Sequence, residues 1–229
     1  MRKKRDSTYE KITRRIRAKG RGWVFTPIHL SDLGTRNAVA SALKRLKAAA
    51  SIRQLTRGLY DYPAQTPEYG LLAPSADAIA RALTARDATR IQPAGDYAAN
   101  QLGLSEQVPS RIVFITDGPD KKVRLGRREI ILRHTTPRNM ATAGRPSGTL
   151  IQALKQLGQR RVTPDIIARL RRQIAPPSLA AIRKDAVFAP AWIAAILRNF
   201  DAPALPSTRR IQQQKISKKS SRSKTPQRQ

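Results

Sequence analysis

In the stretch TRNAVASALKRLKAAASI, Asn37, Ser41 and Lys44 stand four and three residues apart, so helical winding would set them in one line. An amide, a hydroxyl and an ammonium so aligned can hydrogen-bond to base edges and phosphates, and Ala48 extends the line without bulk. Arg36 and Arg45 add cations beside it. Downstream, Arg53 and Arg57 lie in SIRQLTRGLYDYP, where a turn would carry them to a phosphate or the neighbouring minor groove. These residue types suit recognition of duplex DNA rather than the making or breaking of bonds. A solvated helix face is the competing reading of the same polar line.

The elements that must position these side chains are legible around them. Val39, Ala42, Leu43, Leu46 and Ala50 recur on the opposite face of the same stretch, which predicts an amphipathic helix capped by Thr35. Ahead of it, Tyr9, Ile12 and Ile16 predict a first helix over Asp6 to Lys19, ended by Gly20 and Gly22. WVF reads as a short strand, and TPIHLSDLG as a short second helix with Thr26 as N-cap and Pro27 at the first helical position. After the third helix, SIRQL and LYDYP read as two strands about the turn TRG, whose glycine suits a hairpin. Three helices and a hairpin in that order predict a winged helix-turn-helix over residues 1–66.

Composition points the same way. The chain has 229 residues, a length that favours two domains, and a net charge of +30, a field that attracts nucleic acid. Residues 1–63 hold 16 basic and 4 acidic side chains, and residues 207–229 hold 8 basic and none acidic, so the ends are the most densely positive parts. The last segment, 201–229, reads as a basic disordered tail. No cysteine is present, which excludes disulfides and thiolate metal sites. The sequence has no membrane-length apolar run and no signal-peptide core, which leads to the expectation of a soluble cytoplasmic protein.

Residues 67–74 read as a linker, and residues 75–200 as an α+β domain with C-terminal helices. Within it, Ser75 to Ala85 is a predicted helix, ATRIQP a short strand, and RIVFIT a buried strand paired with REIILRH across a basic turn at DGPDKK. Asp96 is the predicted N-cap of a helix that contains Asn100 and ends at Gly103; both side chains are expected to fix that strand-turn-helix. Four further helices are predicted in SGTLIQALKQLG, TPDIIARLRRQI, PPSLAAIRKDA and APAWIAAILRNF. The catalytic possibilities are thin. His29 and His134 have no partner at ligand spacing, and Asp120 with Glu129 resembles a nuclease carboxylate pair only loosely, because Ile131 stands where a lysine is wanted. No phosphate-binding loop or serine elbow is present, so no catalytic residue, metal or cofactor is expected.

Three blocks carry a family resemblance: VFTPIHLSDLGTRNAVASALKRLKAAASIRQLTRGLYDYP, IQPAGDYAANQLGLSEQVP and RIVFITDGPDKKVRLGRREIILRH. Together they resemble the AbiEi-type antitoxins of type IV toxin-antitoxin systems, a phage-defence class, in the DUF6088 branch. KAAAS departs from the family's pattern by replacing the usual glycine before the wing. The resemblance implies an antitoxin that represses its own operon through double-stranded DNA and counteracts a cognate nucleotidyltransferase-like toxin, with or without direct contact. It further implies a role for the signature residues Asp96 and Asn100 in antitoxin action. Dimerisation on DNA stays open, as does the alternative of a basic DNA- or RNA-binding accessory regulator with no toxin partner.

Overall fold

The computed structural model describes residues 6–84, 89–107 and 109–200; the tail at 201–229 lies outside the described residues. Helix α1 (Thr8–Lys19) starts at a reciprocal cap, with the Ser7 hydroxyl accepting the Glu10 N–H at 3.3 Å and the Glu10 carboxylate accepting the Ser7 N–H at 2.8 Å. Strand β1 (Val24–Phe25) follows, and then a 3₁₀ stretch, Pro27–Leu33, where an α-helix was expected. The His29 N–H bonds back to the Thr26 carbonyl at 3.1 Å and the Ser31 hydroxyl to that of Ile28 at 2.9 Å, so the turns close three residues apart rather than four. Gly34 closes the stretch, and here a Cβ would come within 2.6 Å of the Thr8 hydroxyl oxygen; only glycine lets the start of α1 approach so closely.

Helix α2 (Arg36–Ala48) is capped by the Thr35 hydroxyl, which accepts the Ala38 N–H at 3.3 Å. It ends as Ala50 turns left-handed at φ 50° while the Ser51 N–H returns to the Leu46 carbonyl at 3.0 Å. Strands β2 (Arg53–Thr56) and β3 (Leu59–Asp61) form a hairpin in which Thr56 faces Leu59 across Arg57 and Gly58. Gly58 has φ 74°, a conformation that suits glycine in a two-residue turn. The small antiparallel sheet runs β1-β3-β2, and Ile12, Ile16, Phe25, Leu30, Leu43, Leu46 and Ile52 fill the core between it and the helices.

The segment expected as a linker is structured. Strands β4 (Gln65–Thr66) and β5 (Gly70–Leu71) pair as a small hairpin, and the Leu72 carbonyl accepts a hydrogen bond from Arg53 at 2.7 Å. Beyond it come α3 (Ala76–Thr84), β6 (Ile91–Ala94), α4 (Gly95–Gln101), β7 (Arg111–Thr116), β8 (Lys121–Leu125) and β9 (Arg128–His134). The second sheet runs β6-β7-β9-β8.

β7 and β9 are neighbours, as expected, but they run parallel and are not joined as a hairpin; β8, which sequence reading missed, pairs antiparallel with β9 on its outer side. Ile112 and Phe114 of β7 require apolar neighbours, which Ile130 and Leu132 of β9 supply, whereas Lys122 and Arg124 make β8 a suitable edge strand. Val24 and Leu59 of the first sheet join this second core with Ile79, Ile112 and Ile130, so the two regions share buried apolar surface.

Helices α5 (Pro137–Met140), α6 (Pro146–Leu157), α7 (Pro164–Gln173), α8 (Pro176–Asp185) and α9 (Ala191–Arg198) complete the described chain. Pro stands in the first turn of α6, α7 and α8, where no N–H partner is lost. Leu150, Leu154, Leu170, Ile182, Ile193, Leu197 and Phe200 form their common core. Gln92 ties this layer to the sheet: its buried side-chain amide donates to Thr149 at 2.9 Å and accepts the Gly144 N–H at 3.2 Å. The fold is α+β.

Candidate nucleic-acid interface

At about 100° per residue, burial of Val39, Ala42, Leu43 and Leu46 turns the opposite side of α2 outward. Asn37, Ser41, Lys44 and Ala48 are exposed along that side, and Arg36 is exposed on its flank. Lys47 reaches from the same flank to Gln54 of β2 at 2.9 Å, which fixes the hairpin beside the helix. Arg57, exposed at the hairpin tip, has no ion pair or hydrogen bond among the described residues, and neither do Lys44 and Arg36. The helix contains no acidic residue. One exposed surface therefore combines hydrogen-bonding side chains with uncompensated positive charge.

Two of the sequence-predicted cations lie elsewhere. Arg53 grips Asp61 through both terminal oxygens, with the Nε contact at 3.0 Å, and also donates to the Leu72 carbonyl. Asp61 is only 1% exposed, so the pair is a buried brace across β2 and β3, and Arg53 is not free to meet a phosphate. The carboxylate raises the Arg53 guanidinium above its ordinary value. The Arg45 guanidinium sits 4.3 Å from the centre of the Tyr9 ring, which draws it towards α1 and away from the Lys44 line. Sequence spacing placed both cations near the surface but could not show their partners.

The stretch before α2 is held by two interactions. Arg15 forks onto Asp32 with contacts of 2.6 and 2.7 Å, and its guanidinium holds that carboxyl below the usual carboxylate range. The Thr26 N–H donates to Nδ1 of His29 at 3.1 Å, which requires the tautomer protonated on Nε2. Burial, reinforced by the charge of Lys19, keeps the His29 imidazole below its ordinary value. His29 is thus a local brace for the start of the 3₁₀ stretch.

The second-domain candidates are also occupied. Asp96 lies in the first turn of α4, not at its N-cap, which is Ala94, because Gly95 already belongs to the helix; its carboxylate accepts from Gln156 at 2.7 Å. Asn100 donates to the Ser105 and Gln107 carbonyls at 3.0 and 3.2 Å and holds the loop after α4. Tyr97, between them, hydrogen-bonds to Asp77; burial first and that carboxylate second push its hydroxyl up to about 12. Asp120 accepts the His134 N–H at the far end of β9, while Glu129, at its near end, bonds Lys122 at 2.7 Å, so the two carboxylates do not form a metal-binding pair. Among the described residues no three His, Asp or Glu side chains cluster as a metal site. No helix of the described chain is long and apolar enough to cross a membrane.

The family profile of DUF6088, a family of unknown function, matches residues 11–175, which span both sheets and α1 through α7. The chain belongs to the DUF6088 family. No curated protein matches it. The crystal structure of the RV2827C protein from Mycobacterium tuberculosis is similar, with 18% identity, a TM-score of 0.45, and coverage of 89% of this chain and 85% of that one.

In this DUF6088 chain, one basic surface escaped sequence reading. Arg111, Glu129 and Arg124 stand in one row across β7, β9 and β8, and Lys122 lies beside Ile131 in the next, all on one sheet face. The alternation of Lys122 and Arg124 at a period of two was the signal available for a strand with one basic side.

Proposed function

We propose that this chain is a DNA-binding antitoxin of the AbiEi type. Residues 7–63 act as a winged helix-turn-helix, with α2 entering the major groove and the β2–β3 hairpin lying along the adjacent backbone. The observation that carries the reading is the outward line of Asn37, Ser41 and Lys44, exposed beside the unpaired Arg57 and held there by the Lys47–Gln54 contact. Asn37 and Ser41 supply donors and acceptors for base edges, while Lys44, Arg36 and Arg57 supply phosphate contacts. The net charge of +30 draws the duplex in. Repression of its own operon, action against a nucleotidyltransferase-like toxin and a cytoplasmic setting rest on the resemblance of the sequence to those antitoxins.

Fluorescence anisotropy with a duplex covering the chain's own promoter, a scrambled duplex and an RNA hairpin tests the first half of this reading. Tighter binding to the promoter duplex supports it; equal binding to all three, or preference for RNA, overturns it in favour of an accessory nucleic-acid binder. For the second half, the neighbouring nucleotidyltransferase reading frame is expressed alone and with this chain. Restored colony formation supports the antitoxin, and unrelieved toxicity refutes it.

A further inference from the structure

Where β2 meets the turn between β8 and β9, the two sheets approach without interdigitating and leave a cleft of about 460 Å³. The small side chains of Ala73 and Pro74, from the strand of chain that links the sheets, are too short to fill it. Its walls are apolar: Leu55 from the hairpin, Ile79 from α3, and Leu125 and Ile130 from the second sheet. The volume lies within the range of small-molecule sites, which are mostly apolar with a few placed polar groups.

The charge at the rim has one sign. Arg53 lines the cleft but is balanced by Asp61. Arg127 and Arg128, at the β8–β9 turn, are exposed and have no ion pair or hydrogen bond among the described residues. No acidic residue lines the cleft. Two guanidiniums without counter-charges beside an apolar floor complement a molecule with an apolar body and an anionic end. Guanidinium forks bind carboxylate and phosphate oxygens in pairs, and the floor takes the hydrocarbon. A nucleic-acid backbone, polar along its length, would leave Leu55 and Leu125 unmatched.

We propose that this cleft is a binding site for a small amphipathic organic anion, independent of the DNA-binding surface on α2. The probes are 1-anilinonaphthalene-8-sulfonate, an aromatic anion that fluoresces when its rings leave water, and decanoate as competitor. With the full chain, the dye is expected to saturate at one site and to be displaced by decanoate but not by decyltrimethylammonium, which has the same tail and the opposite charge. Arg127→Ala with Arg128→Ala should weaken the dye and decanoate by about tenfold, the loss of one charge-assisted contact. Because that turn is exposed, circular dichroism should show an unchanged fold. Ala73→Trp, from an exposed position on the rim, should block the dye by filling the cleft. Unchanged affinity in either variant, or displacement by the ammonium as effective as by decanoate, overturns the site.

Discussion

Replacing both Lys44 and Arg57 by Ala probes the proposed interface through its salt dependence. Both side chains are exposed and unpaired among the described residues, so each is free to neutralise one phosphate, and neither change breaks an internal contact. Each phosphate contact contributes about 0.9 to the slope of log affinity against log salt, so the double variant should lose about 1.8. Between about 50 and 200 mM salt, a slope difference of that size is about twelvefold in affinity. The wild-type protein should therefore lose about twelve times more affinity over that range than the variant does. Anisotropy of a labelled promoter duplex at four salt concentrations measures both slopes. Arg160→Ala, which removes one exposed charge from the stretch after α6, serves as control and should alter the slope far less. A double variant whose slope equals that of the wild type would show that α2 and the hairpin tip do not touch phosphates.

Other changes separate specificity from stability. Asn37→Ala with Ser41→Ala should reduce discrimination between promoter and scrambled duplex more than it reduces binding to the scrambled one; equal losses in a competition titration would contradict the groove assignment. Arg53→Ala strands the Asp61 carboxylate, which is 1% exposed, and should destabilise the fold by about 3 to 5 kcal/mol in urea unfolding, whereas Arg53→Met with Asp61→Leu should recover most of that loss. Ala50→Gly relieves a left-handed alanine at φ 50° and should stabilise the protein by about 1 kcal/mol, read as a raised thermal midpoint. His29 has a lowered value in the folded state, so its contribution to stability is complete above the unfolded value of about 6.5 and is lost as pH falls through its folded value. Unfolding curves across that window should show a slope that disappears in His29→Gln.

The sequence alone determined the elements whose causes are local. Thr35 ahead of an apolar face at helical spacing specifies α2 and its outward Asn37, Ser41 and Lys44; Arg57-Gly58 between two strand-forming runs specifies the hairpin; proline in the first turn marks α6, α7 and α8. Each of these depends on residues within a few positions of one another, so periodicity and capping reveal it. The KAAAS segment shows how far this extends, because Ala50 takes the left-handed conformation that a glycine would adopt at the end of α2. Tertiary structure decided what depends on residues distant in the chain. Whether Arg53 meets a phosphate or Asp61 turned on strand pairing that brings eight-residue neighbours face to face, and Arg45 was claimed by Tyr9 from another helix. The parallel β7–β9 pairing follows from matching buried Ile112 and Phe114 to Ile130 and Leu132, a competition between surfaces that no local pattern encodes. The cleft under β2 exists only where two sheets meet, because an unfilled space is a property of neighbouring surfaces and not of any one segment.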